Sequence, residues 1–335
     1  MLSRLIAWLA GLVATATLVV AFWPELVGYQ RVWPFAAVVS MRGLVSMLAI
    51  IAIFILLVIG RIGHWLRRTT ATLSVLLTVF VAANAWVLVT RGFENPDLLV
   101  EDKDDITVMT WNTMGGSPDP LAIANLAIAS DADIISLPET SRQTAIEVKG
   151  MLDAAGKQMT LLTNAFDEVF TAHSTALLIS SDLGEYSLAL DVGDTSSAPS
   201  LVALPVSESG PVIVAAHASA PGPGLMETWR RDIAWLADLC NEPNVIVAGD
   251  LNGNLDNFAG TGTGDLGACT DAAQVMNAAA LGTWPTWVPA FAGAQIDHVM
   301  YNGPYVATEF HVYDNPAGSR ADHRPIVARI TISEE

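Results

Sequence analysis

The first hundred residues contain three long stretches without a charge: Leu5 to Pro24, Gly43 to Gly60 and Thr69 to Thr90. Each is about the length of a helix that crosses a hydrocarbon core, roughly 17–25 residues. Three transmembrane helices are therefore predicted, at about 5–24, 43–60 and 69–90, in an anchor spanning 1–90. A cleaved signal peptide suits the first stretch poorly. It ends in Phe22-Trp23-Pro24-Glu25, with no small-x-small site. The apolar excess of the whole chain, 52% hydrophobic with mean hydropathy +0.44, is concentrated here.

Basic residues set the orientation. Arg4 precedes the first stretch, and Arg61, Arg67 and Arg68 follow the second; Arg31 and Arg42 lie on the other side. The N-terminus and the 61–70 loop are thus expected in the cytoplasm. The chain after residue 90 is expected outside the plasma membrane.

Charge divides the chain again. Seven of 16 Lys and Arg and three of 34 Asp and Glu precede residue 100. The remainder carries nine basic and 31 acidic residues, a formal −22. Such a surface lacks the basic stripe of a non-specific nucleic-acid binder. It leaves a small phosphorylated substrate open. Cys240 and Cys269 both lie in this part. They either form a disulfide, which an extracytoplasmic site permits, or remain two buried thiols; the sequence leaves both open. No Cys/His cluster has zinc spacing.

Residues 91–105 read as a polar, acidic linker. Short apolar runs follow at 106–111, 132–138, 175–180, 200–206, 211–217, 244–250, 296–302, 305–313 and 324–332. They are predicted to be strands, most of them buried on both faces. Helical spacing marks 119–130, 140–156, 226–241 and 270–280. The pattern predicts one layered α/β domain over 106–335.

Several of these strands end in residues that a core would not choose. The run "TWN" gives Asn112, "PET" gives Glu139 and "HASAP" gives His217. "GDLN" gives Asp250 and Asn252, "IDHV" gives Asp297, and "ADHRP" gives Asp322 and His323. One such residue means little, but strand ends in layered α/β proteins commonly converge on one rim. In an extended segment Asp250 and Asn252, two apart, would also point the same way.

In this order the motifs resemble the endonuclease/exonuclease/phosphatase superfamily, the deoxyribonuclease-like metal-dependent phosphohydrolases, over 106–332. The layout is similar to that of membrane-anchored bacterial members. The resemblance implies a four-layer sandwich of two packed mixed β-sheets flanked by helices. It also implies a phosphoesterase acting through Mg²⁺, with Mn²⁺ as a substitute. Glu139 would bind the cation, with Asn112 and Asp322 beside it. His323 would contact the scissile phosphate and move a proton, oriented by Asp297. Asp250 would align or deprotonate the attacking water, while Asn252 and His217 would hold phosphate oxygens. The chain departs from the family pattern at Pro138, where Gln is usual, and at Ala321, where Ser is usual.

Membrane tethering favours a lipid or envelope phosphoester as substrate, and the acidic domain disfavours nucleic acid. An extracellular nuclease or a catalytically silent module of the same fold are the rival readings. His173 lies near where the family sometimes places a partner of the phosphate-binding histidine, although a surface or structural role is favoured. His298 reads as structural, and His64 and His311 have no motif around them. The Trp/Pro-rich stretch 282–290 leaves two readings, contact with lipid or a substrate ring, or packing on its own domain, of which packing is favoured.

Overall fold

The computed structural model describes residues 2–63, 66–98, 105–165, 172–196, 198–207, 210–315 and 319–333. The anchor contains α1 (Leu2–Phe22), α2 (Phe35–Ser40), α3 (Arg42–Ile62) and α4 (Arg67–Arg91). By length and composition, α3 and α4 are the two helices able to cross a membrane among the described residues. Only 22% and 17% of their apolar stretches are buried inside the protein, so neither is a core helix. Two of the three expected spans are thus met by α3 and α4. In α1 the described apolar stretch is Gly11–Phe22. The side chains of residues 1–7, like His64, lie outside the described residues.

Among the described residues, twelve strands build the rest: β1 (Asp105–Thr110), β2 (Ile134–Pro138), β3 (Met159–Ala165), β4 (Ser174–Ser180), β5 (Tyr186–Leu188), β6 (Leu201–Pro205), β7 (Val212–His217), β8 (Val245–Asp250), β9 (Thr270–Asp271), β10 (Asp297–Asn302), β11 (Tyr305–Val312) and β12 (Ile326–Ile332). They form two six-stranded mixed sheets, ordered β11-β12-β1-β2-β4-β3 and β5-β6-β7-β8-β10-β9. Alternation sorts the side chains. Ile106, Val108 and Ile134 of the first sheet meet Ile213, Ile246 and Val299 of the second in one central core. The opposite faces are covered by helices. Met109, Ile135 and Leu137 pack under α5 (Pro120–Ala129) and α6 (Arg142–Ala154), and Val214 and Val247 pack under α7 (Met226–Leu239). Two mixed sheets flanked by helices are thus present, as the resemblance implied.

The helix expected over 270–280 is reduced to a single turn. Asp271 ends β9 and caps only the four-residue turn Ala272–Val275. Three edge strands have no counterpart among those expected: the half-buried β3, the three-residue β5 and the two-residue β9. Cys240 and Cys269 form a disulfide that joins the end of α7 to the chain before β9. The described part of the expected linker is docked on the domain. Asn95 exchanges two hydrogen bonds with the Val312 backbone, at 2.8 and 2.9 Å, and the Glu94 amide donates to the Asn277 carbonyl at 2.9 Å.

Candidate active site

Strand register gathers the polar residues. His217 at the end of β7 is the parallel partner of Asp250 at the end of β8. Asp297, which opens β10, is the antiparallel partner of the same Asp250. All three share the face of Ile213, Ile246 and Val299 and so point between the sheets. From the opposite sheet Asn112 continues the inward face of β1. Its Nδ2 donates to Glu139 Oε1 and to Asp250 Oδ2, both at 3.0 Å. His323 precedes β12, and the Trp111 indole donates to its carbonyl at 3.0 Å.

Glu139 departs from simple alternation. Leu137 faces the helices, and a residue two further on should do the same. A φ of +52° turns Glu139 back towards Asn112 and His217, whose Nε2 lies 3.7 Å from Glu139 Oε1. Left-handed backbone at a non-glycine residue is uncommon and is held by its surroundings. Asn252 has φ +49°, so the reason for its meeting Asp250 is a turn, not an extended segment. Its backbone N–H donates to Asp250 Oδ1 at 2.9 Å, and its side-chain amide donates to the Ala218 carbonyl at 2.9 Å.

His323 stands at the centre. Its Nδ1 is 2.8 Å from Asp297 Oδ2, and its Nε2 is 3.7 Å from Asp250 Oδ2 and 4.0 Å from Asp322 Oδ1. Burial works against its charge. Asp297, Asp250 and Asp322 overcome that and push the imidazole up to about 10. Burial raises the Asp250 carboxyl to about 7, with Asp297 adding and His323 opposing. Burial, with His323 nearby, lowers His217 to about 4, so that ring is neutral. Burial also raises Glu139, against the hydrogen bond from Asn112 and with Asp322 contributing.

The eight residues named from sequence are therefore linked in one constellation at the rim of the two sheets. Others were not foreseen. Trp284, within the 282–290 loop, donates Nε1–H to Asp322 Oδ2 at 2.9 Å and fixes that acid. Asp194 and Ser200 support His217, whose amide donates to Ser200 Oγ at 2.9 Å. His173, read as surface or structural, lines the cavity. His298 faces away, as expected, and is buried against Asp271 and the Gly253 carbonyl. His311 is hydrogen-bonded to the Pro96 carbonyl at 2.6 Å.

The constellation opens into a cavity of about 800 Å³, with Glu139, His217, Asp250 and His323 at its polar end. Its residues suit a divalent cation. Glu139 and Asp322 bring hard oxygen donors to the more open side, 24% and 40% exposed. Among the described residues no Lys or Arg lines the cavity, so protein cations alone leave an anionic substrate poorly compensated. Deeper in, Asp250, Asp297 and His323 place one ligand atom each within 4.8 Å of one another, a second group able to hold a metal. His217 Nδ1 and Asp297 Oδ1 are buried without a hydrogen-bond partner among the described residues.

A family model described as "Endonuclease/Exonuclease/phosphatase family" matches residues 109–330. Solved structures share the fold. TDP2 of D. rerio in complex with a single-strand DNA product is 15% identical, with a TM-score of 0.53 over 69% of this chain and 100% of that one. A humanized D. rerio TDP2 is 16% identical, with a TM-score of 0.52 over 68% and 100%. A family protein of Bacteroides thetaiotaomicron is 16% identical, with a TM-score of 0.50 over 69% and 99%. None of the curated proteins matches this chain.

Proposed function

Because this chain belongs to the endonuclease/exonuclease/phosphatase family, we propose that it is a membrane-tethered phosphoesterase that uses a divalent metal, Mg²⁺ or Mn²⁺, to hydrolyse a phosphodiester or phosphomonoester. The observation that carries this reading is the unbroken contact chain Asp297–His323–Asp250–Asn112–Glu139 at one rim of the double sheet. A bound cation held by Glu139 and Asp322, with Asn112 beside it, would offset negative charge developing on the phosphate.

The chain's own residues supply the rest. Asp250, raised to about 7, is matched to accept a proton from attacking water near neutrality. Asn112 and Asn252 fix its carboxylate in place. His323 is cationic at neutral pH and stands beside Asp250, placed to bind a phosphate oxygen and to donate a proton to the leaving oxygen. Asp297 fixes its tautomer and ring. Neutral His217 offers a further hydrogen bond.

We place the domain outside the plasma membrane, with the N-terminus and the 61–70 loop in the cytoplasm. The arginine distribution and the Cys240–Cys269 disulfide support this reading. The helix Leu2–Phe22 is proposed to complete a third span. A lipid or envelope phosphoester suits a tethered enzyme with an acidic domain. A nuclease is the second reading, favoured by the DNA product bound to the TDP2 neighbour and disfavoured by the charge of −22.

The test is a panel offered to the full-length protein in detergent: bis-p-nitrophenyl phosphate, p-nitrophenyl phosphate, a phospholipid and single-stranded DNA, each with Mg²⁺ or Mn²⁺. Metal-dependent turnover of a phosphoester other than DNA is expected. Inertness towards the whole panel would favour the silent-module reading.

A further inference from the structure

The cavity does not end at the catalytic domain. Its far wall is Ala37, Ser40 and Met41, from α2 and the residue before α3. This wall is built in. Ser40 Oγ donates to Asn257 Oδ1 at 2.8 Å, and Asn254 Nδ2 donates to the Val39 carbonyl at 3.1 Å. Asn257 Nδ2 donates to the Gln30 carbonyl at 2.9 Å. Ala36 packs in the core beneath α7.

The wall also stands at the foot of the membrane helices. Arg42, which opens α3 directly after Met41, donates to both Asp256 oxygens and to the carbonyl of Phe22, the last residue of α1. Arg91, the last residue of α4, joins the same Asp256. Three helix ends thus meet at one level, and the cavity wall begins within a turn of it. The 282–292 loop packs on the first turn of α3: a Cβ on Gly43 would lie 2.3 Å from the Phe291 carbonyl. This loop carries Trp287 and Phe291, 74% and 54% exposed. Exposed aromatic rings at that height match the interfacial belt of membrane proteins. Leu225 and Met114 are exposed apolar groups that line the same cavity.

We propose that the anchor is part of the substrate site. Met41, Ala37 and Leu225, which line the same cavity, form an apolar subsite for the hydrocarbon part of an amphiphilic phosphoester resident in the same bilayer. The phosphate then reaches Glu139 and His323 while the tail stays in the membrane. A small soluble phosphoester fills only the polar half and forgoes the apolar contact. This rests on the phosphoesterase reading above and names its substrate class.

The test uses full-length protein in phosphatidylcholine nanodiscs and two esters that share one leaving group, methyl p-nitrophenyl phosphate and hexadecyl p-nitrophenyl phosphate. Partitioning concentrates the long ester for every variant alike. The informative quantity is therefore the ratio of kcat/KM, long over short, compared between wild type and M41D, A37W and L225S. Burying two methylenes is worth about tenfold, so each variant is expected to lower that ratio about tenfold or more. Turnover of the short ester reports that the variant is folded. L225S lies on another element and gives the same readout should the anchor variants fail to fold. Equal cleavage of both esters by wild type, or a ratio that no variant moves, would overturn the subsite alone. Failure of wild type to cleave either ester, or the monoester p-nitrophenyl phosphate, would overturn the phosphoesterase reading with it.

Discussion

His323 Nδ1 and Asp297 Oδ2 lie 2.8 Å apart, and both side chains are almost fully removed from solvent. The pair holds the imidazole in one tautomer while its Nε2 faces Asp250. The substitution Asp297→Asn keeps the shape and removes the charge that fixes the proton. It is expected to lower kcat about 10²–10⁴-fold with little change in KM, on the scale of misplaced acid–base groups. Steady-state kinetics on full-length protein measures this. A variant with wild-type kcat would show that the pair plays no part in turnover.

Asp256 ties the anchor to the domain. Burial alone would raise its carboxyl, but Arg91 and Arg42 outweigh burial and hold it below the usual value. Removing one partner of a buried ion pair costs about 3–5 kcal/mol. Asp256→Ala is therefore expected to expose residues 30–41 to protease under conditions where wild type resists. Because the folded carboxyl is depressed, its contribution is present above the unfolded value of about 3.9 and is lost as pH falls through the folded value. The difference between wild type and Asp256→Asn should be full at neutral pH and shrink below about pH 4. A constant difference across that range would contradict the assignment.

How far the sequence displayed this site depends on the residue. Asn112, His217, Asp250 and Asp297 stand at the ends of buried apolar runs, so strand alternation already aims them inward. Glu139 was recognisable by motif, but its direction depends on a left-handed backbone that alternation does not encode. The edge strand β3 escaped notice because its side chains are half-buried and show no alternation. The alanine-rich stretch after Asp271 has helical spacing, yet Asn277 takes φ +53° just after the single turn, and Ala278 and Ala279 lie in the central core. The wall at Ala37 and Met41 is fastened to the domain by hydrogen bonds to residues more than two hundred positions away. No local pattern in 30–41 announces it. Trp284 gave a faint signal as part of an aromatic loop, although its bond to Asp322 did not.

Gly249 lies at φ +154° on β8, where a Cβ would come within 2.0 Å of the Ala216 carbonyl on β7. Gly249→Ala must push apart the two strands that deliver His217 and Asp250. Overpacking of this kind typically costs about 1–3 kcal/mol. A lower Tm together with lost turnover is expected. Unchanged values of both would show that the strands can yield there without consequence.

The Cys240–Cys269 bond closes a loop with a sequence separation of 29. A loop of that length stabilises a domain by roughly 3–4 kcal/mol in the chain-entropy model. Protein isolated from the membrane is expected to resist thiol alkylation until reduced. The double variant Cys240→Ala, Cys269→Ala is expected to melt several degrees lower. Free thiols in freshly isolated protein would contradict both the bond and the extracytoplasmic placement of the domain.

A metal titration bears on the phosphoesterase reading most directly. Full-length protein is stripped with chelator, then assayed on bis-p-nitrophenyl phosphate as Mg²⁺ or Mn²⁺ is restored, beside Glu139→Gln. Wild-type turnover is expected to vanish without metal and to return saturably. The variant should need far more metal and stay at least about 10²-fold slower, as when an electrostatic partner of the reacting phosphate is lost. Turnover that persists in chelator, or a Glu139→Gln titration that overlays wild type, would contradict a metal-assisted site at Glu139.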